Sequence, residues 1–169
     1  GVQGAVAVAM ALRHRDRTGE GQLIELPLTE GFIPTFGEFI FDYTMNDRDT
    51  PAQANQHRWH APHNVYPVRG HDQWVAIDVG TDEEFRALTS TLDAPQLASD
   101  ARFASAGARH EHRDDLDSEI ARLTAEWNKY ELFHALQQNG VVATPVEDAL
   151  DALADPQLEA RGFFEEITI

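Results

Sequence analysis

Residues 1–27 read GVQGAVAVAMALRHRDRTGEGQLIELP, and this stretch decides the fold class. Gly1 to Leu12 is small and apolar on nearly every face, and a helix that is apolar all round is buried all round. Gly1, Gly4 and the alanines allow close packing against a sheet. Arg13, His14 and Arg15 follow in the last turn, where they oppose the negative end of the helix dipole. Arg17-Thr18-Gly19-Glu20-Gly21 supplies a turn with two glycines free to take positive φ. Gln22-Leu23-Ile24-Glu25-Leu26 then reads as a short strand closed by Pro27. Helix, glycine turn and apolar strand form the tail of an α/β crossover, which predicts further strands upstream. Because the chain enters this helix directly and without Met, it reads as a piece of something longer.

Working outward, Thr29 to Met45 predicts a second helix broken near Pro34, with aromatic bulk from Phe32, Phe36, Phe39 and Phe41. Residues 46–62, NDRDTPAQANQHRWHAP, are polar, contain two prolines and lack an apolar period, so they read as a linker. Val65-Tyr66-Pro67-Val68 and Trp74 to Val79 flank the turn Arg69-Gly70-His71-Asp72-Gln73, which predicts a β-hairpin. Thr81-x-x-Glu84 is a capping box opening a helix through Phe85 and Leu88. A long helix is expected from about His110 to Trp127, carried by Leu116, Ile120, Leu123 and Trp127. Asn128-x-x-Glu131 caps another, closed by Asn139-Gly140. Thr144-Pro145-x-Glu147 looks like a cap, a first-turn proline and a capping acid ahead of one more helix. Asp155-Pro156 starts a further turn, and Gly162 precedes an expected final strand, Phe163 to Ile169. The expected fold class is α/β: 1–45 ends a large α/β domain, 46–62 links, and 63–169 forms a small α+β domain with a hairpin and several helices.

The 169 residues are 42% hydrophobic and 25% charged, so the chain is globular rather than disordered. Thirteen Lys+Arg against twenty-nine Asp+Glu give −16. That field repels phosphate backbones and anionic lipid, so neither nucleic acid nor a membrane surface is an expected partner. Residues 80–169 hold 7 − 19 = −12 of it, a strongly solvated surface. There is no cysteine, which excludes disulfides, thiol nucleophiles and cysteine-ligated metals. The apolar run Val2 to Leu12 is well short of the ~20 residues of a membrane span. Its cations follow it, whereas a signal peptide carries them in front. A cytoplasmic location is expected.

No complete catalytic constellation emerges from spacing alone. His57-Arg-Trp-His60-Ala-Pro-His63 could suggest three zinc ligands. On an ideal helix, however, the outer pair would sit about 240° apart, and Pro62 interrupts any helix there. No metal is expected. Thr18-Gly19-Glu20-Gly21 matches neither glycine-rich phosphate motif and lies between helix and strand, the reverse of the phosphate-binding order. Asp114-Asp115-x-Asp117-x-Glu119 lacks the glycine and terminal Glu of a calcium loop, and reads as a helix-start acidic cluster. Glu30, Glu38 and Asp42 share one side of the second helix, as an exposed face does. Ser90, Ser99, Ser105 and Ser118 lie in no nucleophile elbow.

Several segments, in order and across almost the whole chain, resemble class III CoA-transferases, also called the CaiB/BaiF family. Ala11-Leu12-Arg13-His14-Arg15-Asp16-Arg17-Thr18-Gly19-Glu20-Gly21-Gln22 is similar to that family's A-L-x-x-R-x-x-T-G-x-G-Q signature. Ala61-Pro62-His63-Asn64-Val65-Tyr66-Pro67 followed by Trp74-Val75-Ala76-Ile77 is the second segment. Asp100-Ala101-Arg102-Phe103, Arg109 and Arg113-Asp114-Asp115-Leu116 form the third. Gly140-Val141-x-x-Thr144-Pro145-Val146, Ala154-Asp155-Pro156-Gln157-Leu158 and Arg161-Gly162-Phe163-Phe164 complete the set.

The resemblance implies a Rossmann-like large domain that binds CoA, a small domain that closes over the site, and a homodimer of two subunits interlocked like chain links. It implies transfer of CoA between an acyl-CoA thioester and a small carboxylic acid through an aspartyl intermediate, with the CoA thioester as substrate and no bound cofactor. The nucleophilic Asp should lie just upstream of Gly1, so no carboxylate here inherits that role and this stretch alone should be inactive. Leu28 is carried over as an apolar residue near the CoA. His63, Asn64 and Tyr66, polar groups where linker meets hairpin, are the candidate site-facing positions. Asp82 falls near the place where the racemase branch puts a Glu. The glycine-rich loop of the formyl-CoA branch is absent from residues 53–60. An α-methylacyl-CoA racemase of the same fold, or a non-catalytic assembly or binding module, are the alternative readings.

Overall fold

The computed structural model describes residues 1–165 and 167; the last residues of the expected strand, 166, 168 and 169, lie outside it, and residues 163–165 form no strand. The chain divides into two compact units, residues 1–52 and residues from 53 onward.

The first unit opens with α1, Val2–Thr18. Gly19, at φ 80°, takes the left-handed conformation that closes the helix, and its N–H donates to Arg15 O. Residues 20–27 have no regular secondary structure and form no strand, which corrects the expectation for Gln22 to Leu26. A strand exists only through a ladder partner, and among the described residues none pairs with this segment. The segment runs back along the helix: a Cβ on Gly4 would lie 3.4 Å from Leu26 Cδ2. After it come α2, Leu28–Phe32, a 3₁₀ turn at Ile33–Phe36 holding Pro34, and α3, Gly37–Asn46. No residue in these helices is buried, and Val2, Met10, Leu23 and Phe41 are among the apolar side chains left exposed. Contiguous apolar surface on this scale binds hydrophobic probes. The chain alone is therefore expected to enhance ANS fluorescence and to self-associate in sedimentation; a dye-free monodisperse monomer would contradict this.

The second unit has a true core. β1 (His63–Pro67), β2 (Trp74–Asp78) and β3 (Val142–Pro145) form a three-stranded antiparallel sheet in the order β1-β2-β3. The hairpin pairs His63 with Asp78 and Tyr66 with Val75, while β3 pairs Val142 with Asp78 and Thr144 with Ala76. β3 replaces the helix start expected at Thr144. Pro145 is tolerated because it ends an edge strand, where its missing N–H breaks no ladder bond.

Helices cover one face of this sheet. α4 (Asp82–Thr91) is opened by the expected capping box of Thr81 and Glu84. The long helix predicted from His110 is instead α5 (Ala106–Glu111) and α6 (Arg113–Thr124), with a break at His112. α7 (Lys129–Gln138) starts at the Asn128 cap. α8 (Ala149–Leu153) starts at Asp148, whose side chain and Asp151 form the actual capping box. α9 (Pro156–Ala160) follows the Asp155 cap. Tyr66, Val75, Phe85, Leu116, Ile120 and Leu132 meet in the core, each fully buried aliphatic side chain contributing about 1.5–3 kcal/mol. Among the described residues, no helix is long and apolar enough to cross a membrane.

Candidate functional site

Strand alternation gives the sheet two unlike faces. Tyr66, Val75, Ile77 and Ala143 point into the core. The opposite set, His63, Ala76, Asp78 and Thr144, lines a cleft of about 400 Å3 whose other wall is the segment Ala54–Asn55–Gln56. Two of the five candidate positions, His63 and Asn64, border this cleft.

His63 begins β1, and its Nδ1 donates to Asn55 O at 2.5 Å, tying the wall segment to the sheet. Asn64 donates from Nδ2 to Asp117 Oδ2 of α6 at 2.9 Å, and its Oδ1 accepts from Val65 N. Its polar capacity is largely spent inside the unit. Tyr66 does not face the cleft: it is 1% exposed, and its hydroxyl donates to Asp117 Oδ1 at 2.5 Å. Burial first, and then the Asp117 charge and its hydrogen bond, push the phenol far above the usual tyrosine range, so it remains a donor. Asp82, in the first turn of α4, pairs with Arg109 Nη2 at 2.8 Å. Leu28 starts α2 in the first unit and is 87% exposed.

Two organising residues escaped the pattern. Arg109 is 1% exposed; its Nε donates to Ala61 O at 2.9 Å, its Nη1 to Phe103 O at 3.2 Å, and its guanidinium lies 4.6 Å from the centre of the Phe85 ring. Asp117, read as part of a helix-start acidic cluster, is spent inward on Asn64 and Tyr66. Its place between Leu116 and Ile120, on the apolar side of α6, was the available signal.

A histidine cluster sits at the mouth of the wall segment. His57 Nδ1 accepts the N–H of Trp59 at 3.2 Å and of His60 at 3.1 Å, so that nitrogen is unprotonated. His60 Nδ1 donates to Asp78 Oδ1 at 2.6 Å. The rings of His57 and His60 are 4.2 Å apart, and those of His57 and His63 5.2 Å. Desolvation, then the neighbouring His60 and His63, hold the pKa of His57 below the ordinary histidine value, against an opposing pull from Asp78. Among the described residues, no His, Asp and Glu group is arranged to hold a metal ion. The cleft can offer a ligand an imidazole and amide groups beside one carboxylate, Asp78.

Comparison with known proteins adds a family. The model of CoA-transferase family III matches residues 1–168. The chain is 32% identical over 162 residues to the succinate–glutarate CoA-transferase of Agrobacterium fabrum, covering 96% of this chain and 40% of that protein. It is 31% identical over 157 residues to the succinyl-CoA–D-citramalate CoA-transferase of Chloroflexus aurantiacus, covering 93% and 39%. A crystal structure of a CaiB/BaiF family protein from Brucella suis superposes with a TM-score of 0.84 at 31% identity, covering 96% of this chain and 42% of that one. The chain thus spans about two fifths of the length of these proteins.

Proposed function

The chain belongs to CoA-transferase family III, and from that premise we propose that the protein it comes from moves CoA between an acyl-CoA thioester and a carboxylic acid. The observation that carries this reading is a match over residues 1–168 to a family whose relatives include named carboxylate CoA-transferases. Both relatives' names pair a succinyl or succinate group with a second dicarboxylate, which favours dicarboxylic acids as donor and acceptor.

In the proposed reaction an Asp carboxylate preceding Gly1 attacks the thioester carbonyl. The C–S bond breaks, CoA leaves as thiolate, and an acyl–aspartyl anhydride forms. The thiolate then attacks the aspartyl carbonyl, releasing the first acid as its carboxylate and leaving an aspartyl-CoA thioester. The acceptor carboxylate repeats the sequence in reverse, so the Asp is regenerated and no proton is lost or gained. Covalent catalysis divides one difficult acyl transfer into easier steps, and hydrogen-bond donors must meet each developing oxyanion.

Residues 1–45 complete a CoA-binding large domain in this reading, with Leu28 near the CoA. Residues 63–169 form the small domain, which presents the sheet cleft and His63 to the acyl or acceptor group, bordered by Asn64. Tyr66 and Asp82 serve the architecture of that domain. The enzyme is a cytoplasmic interlocked homodimer that uses CoA thioester as substrate and holds no cofactor.

Incubating the full-length protein with chiral 2-methylsuccinyl-CoA, a dicarboxylic donor, in deuterated water, with and without succinate, tests this. Transfer requires the acid and leaves the α-carbon undeuterated. Deuterium uptake without any acid would establish a racemase instead, and neither reaction, together with no Asp encoded upstream of Gly1, would point to a non-catalytic module.

A further inference from the structure

Three imidazoles hold residues 53–60, His60 and His63 tying the segment to the sheet and His57 folding it on itself, and they do not respond alike to a proton. His60 and His63 use Nδ1 as donor, toward Asp78 and toward Asn55 O. Neutral or charged, each ring keeps that N–H, so protonation leaves both bonds in place. His57 is the opposite case. Its Nδ1 accepts two backbone N–H groups, from Trp59 and His60, and a proton there would place donor against donors.

We propose that His57 is a proton-sensitive latch: neutral, it closes the turn at residues 57–60 beside the wall of the outer-face cleft, and protonated, it opens that turn while the His60 and His63 ties to the sheet remain. This deepens the transferase reading and rests on it only for what the cleft admits.

The charged surroundings favour release. A cation on His57 would lie 4.2 Å from the His60 ring and 5.2 Å from His63 on β1. Asp78 on β2 opposes this but already accepts from His60. Arg58 lies in the same segment, its guanidinium 5.4 Å from the Trp59 ring centre. Buried Arg109 of α5 donates to Ala61 O and is paired with Asp82 of α4. On α6, Asp114 meets Gln56 Nε2 only at 3.5 Å, and Asp117 is held by Asn64 and Tyr66. Desolvation and the two neighbouring imidazoles thus disfavour a cation on His57, with Asp78 opposing them.

The closed segment binds a proton at His57 less readily than the open one, because the folded pKa is lowered. The latch is then fully engaged above the ordinary histidine value of ~6.5 and weakens as pH falls below it.

Amide hydrogen exchange followed by NMR on the full chain, corrected for intrinsic rates, reads this directly. Protection at the Trp59 and His60 amides should fall with decreasing pH below ~6.5, approaching tenfold per unit, the slope for one proton. The Val79 amide, bonded to Pro62 O nearby, should stay constant. In His57→Asn the side-chain oxygen still accepts N–H but does not titrate, so protection at both amides should be independent of pH. Should that variant fail to fold, the native titration still decides, because amide opening must track the His57 Cε1–H shift. Flat protection in the native chain, an equal fall in His57→Asn, or a matching fall at Val79 would each overturn the latch. Thioester transfer is not read here, so failure of the latch leaves the transferase assignment standing, and the reverse holds.

Discussion

Arg109→Ala costs the unit from residue 53 onward about 3–5 kcal/mol, the range for breaking buried charged networks. A single domain has only about 5–15 kcal/mol in total. The loss has three sources. Ala61 O and Phe103 O lose their donors, and each orphaned buried carbonyl costs about 1–3 kcal/mol. The guanidinium over Phe85 also goes, and a cavity opens where a fully buried side chain stood. The ion pair with Asp82 joins a fully buried guanidinium to a half-exposed carboxylate, so its share lies between that of an exposed pair and that of a buried one. Asp82→Asn, which leaves the buried guanidinium without its counter-ion, should therefore lower the midpoint in urea denaturation of the full-length protein, but less than Arg109→Ala does. Arg109→Lys keeps the charge but lacks the planar fork that reaches two carbonyls at once, so it should fall between them. Equal losses in Asp82→Asn and Arg109→Ala would show that the ion pair, rather than the carbonyl clasp, organises this corner.

Arg109 also marks where sequence reasoning stops. Periodicity scores a guanidinium as solvent-facing, so the pattern anchored at Leu116 and Ile120 predicted one helix and passed over a buried charge at the end of its neighbour. The break at His112 follows from tertiary demands that no local propensity encodes. Local rules succeeded where the energy is local. The hairpin follows from two apolar runs around a glycine turn, and α4 and α7 start at Thr81 and Asn128 because side-chain oxygens there satisfy orphan N–H groups. The same rule misled at Thr144. Thr-Pro-x-Glu fits a helix start, but pairing with β2 outweighs that preference, and the cap moves four residues on to Asp148. Gln22 to Leu26 has strand composition without a strand neighbour, so composition alone could not make it one. At the cleft, His63 and Asn64 were legible as polar groups at a junction. Asp78 was not, since its pairing with His60 depends on a fold that brings together residues 18 apart in sequence.

Asp117→Ala should cost about 1.5–3 kcal/mol through Tyr66 alone, the worth of a hydrogen bond to a charged acceptor. The phenol is fully buried, and Asp117 is its acceptor. Asn64 loses the tether on its Nδ2 in the same step. Tyr66→Phe removes the donor instead, leaving a half-buried carboxylate that keeps Asn64 and can turn toward water, so it should cost less. The double variant is the decisive measurement. With the hydroxyl gone, Asp117→Ala no longer strands it, so the combined loss should fall short of the sum by about 0.5–3 kcal/mol, the range for directly bonded partners. Strict additivity would mean that Tyr66 finds another acceptor when Asp117 is absent. The cycle also separates architecture from chemistry at the cleft. If Asn64 serves substrate only by being held still, Asp117→Ala raises KM in the full-length enzyme while Tyr66→Phe, which leaves the Asn64 tether intact, does not. A matching rise in both would place the phenol itself in the substrate's path, against the burial that now hides it.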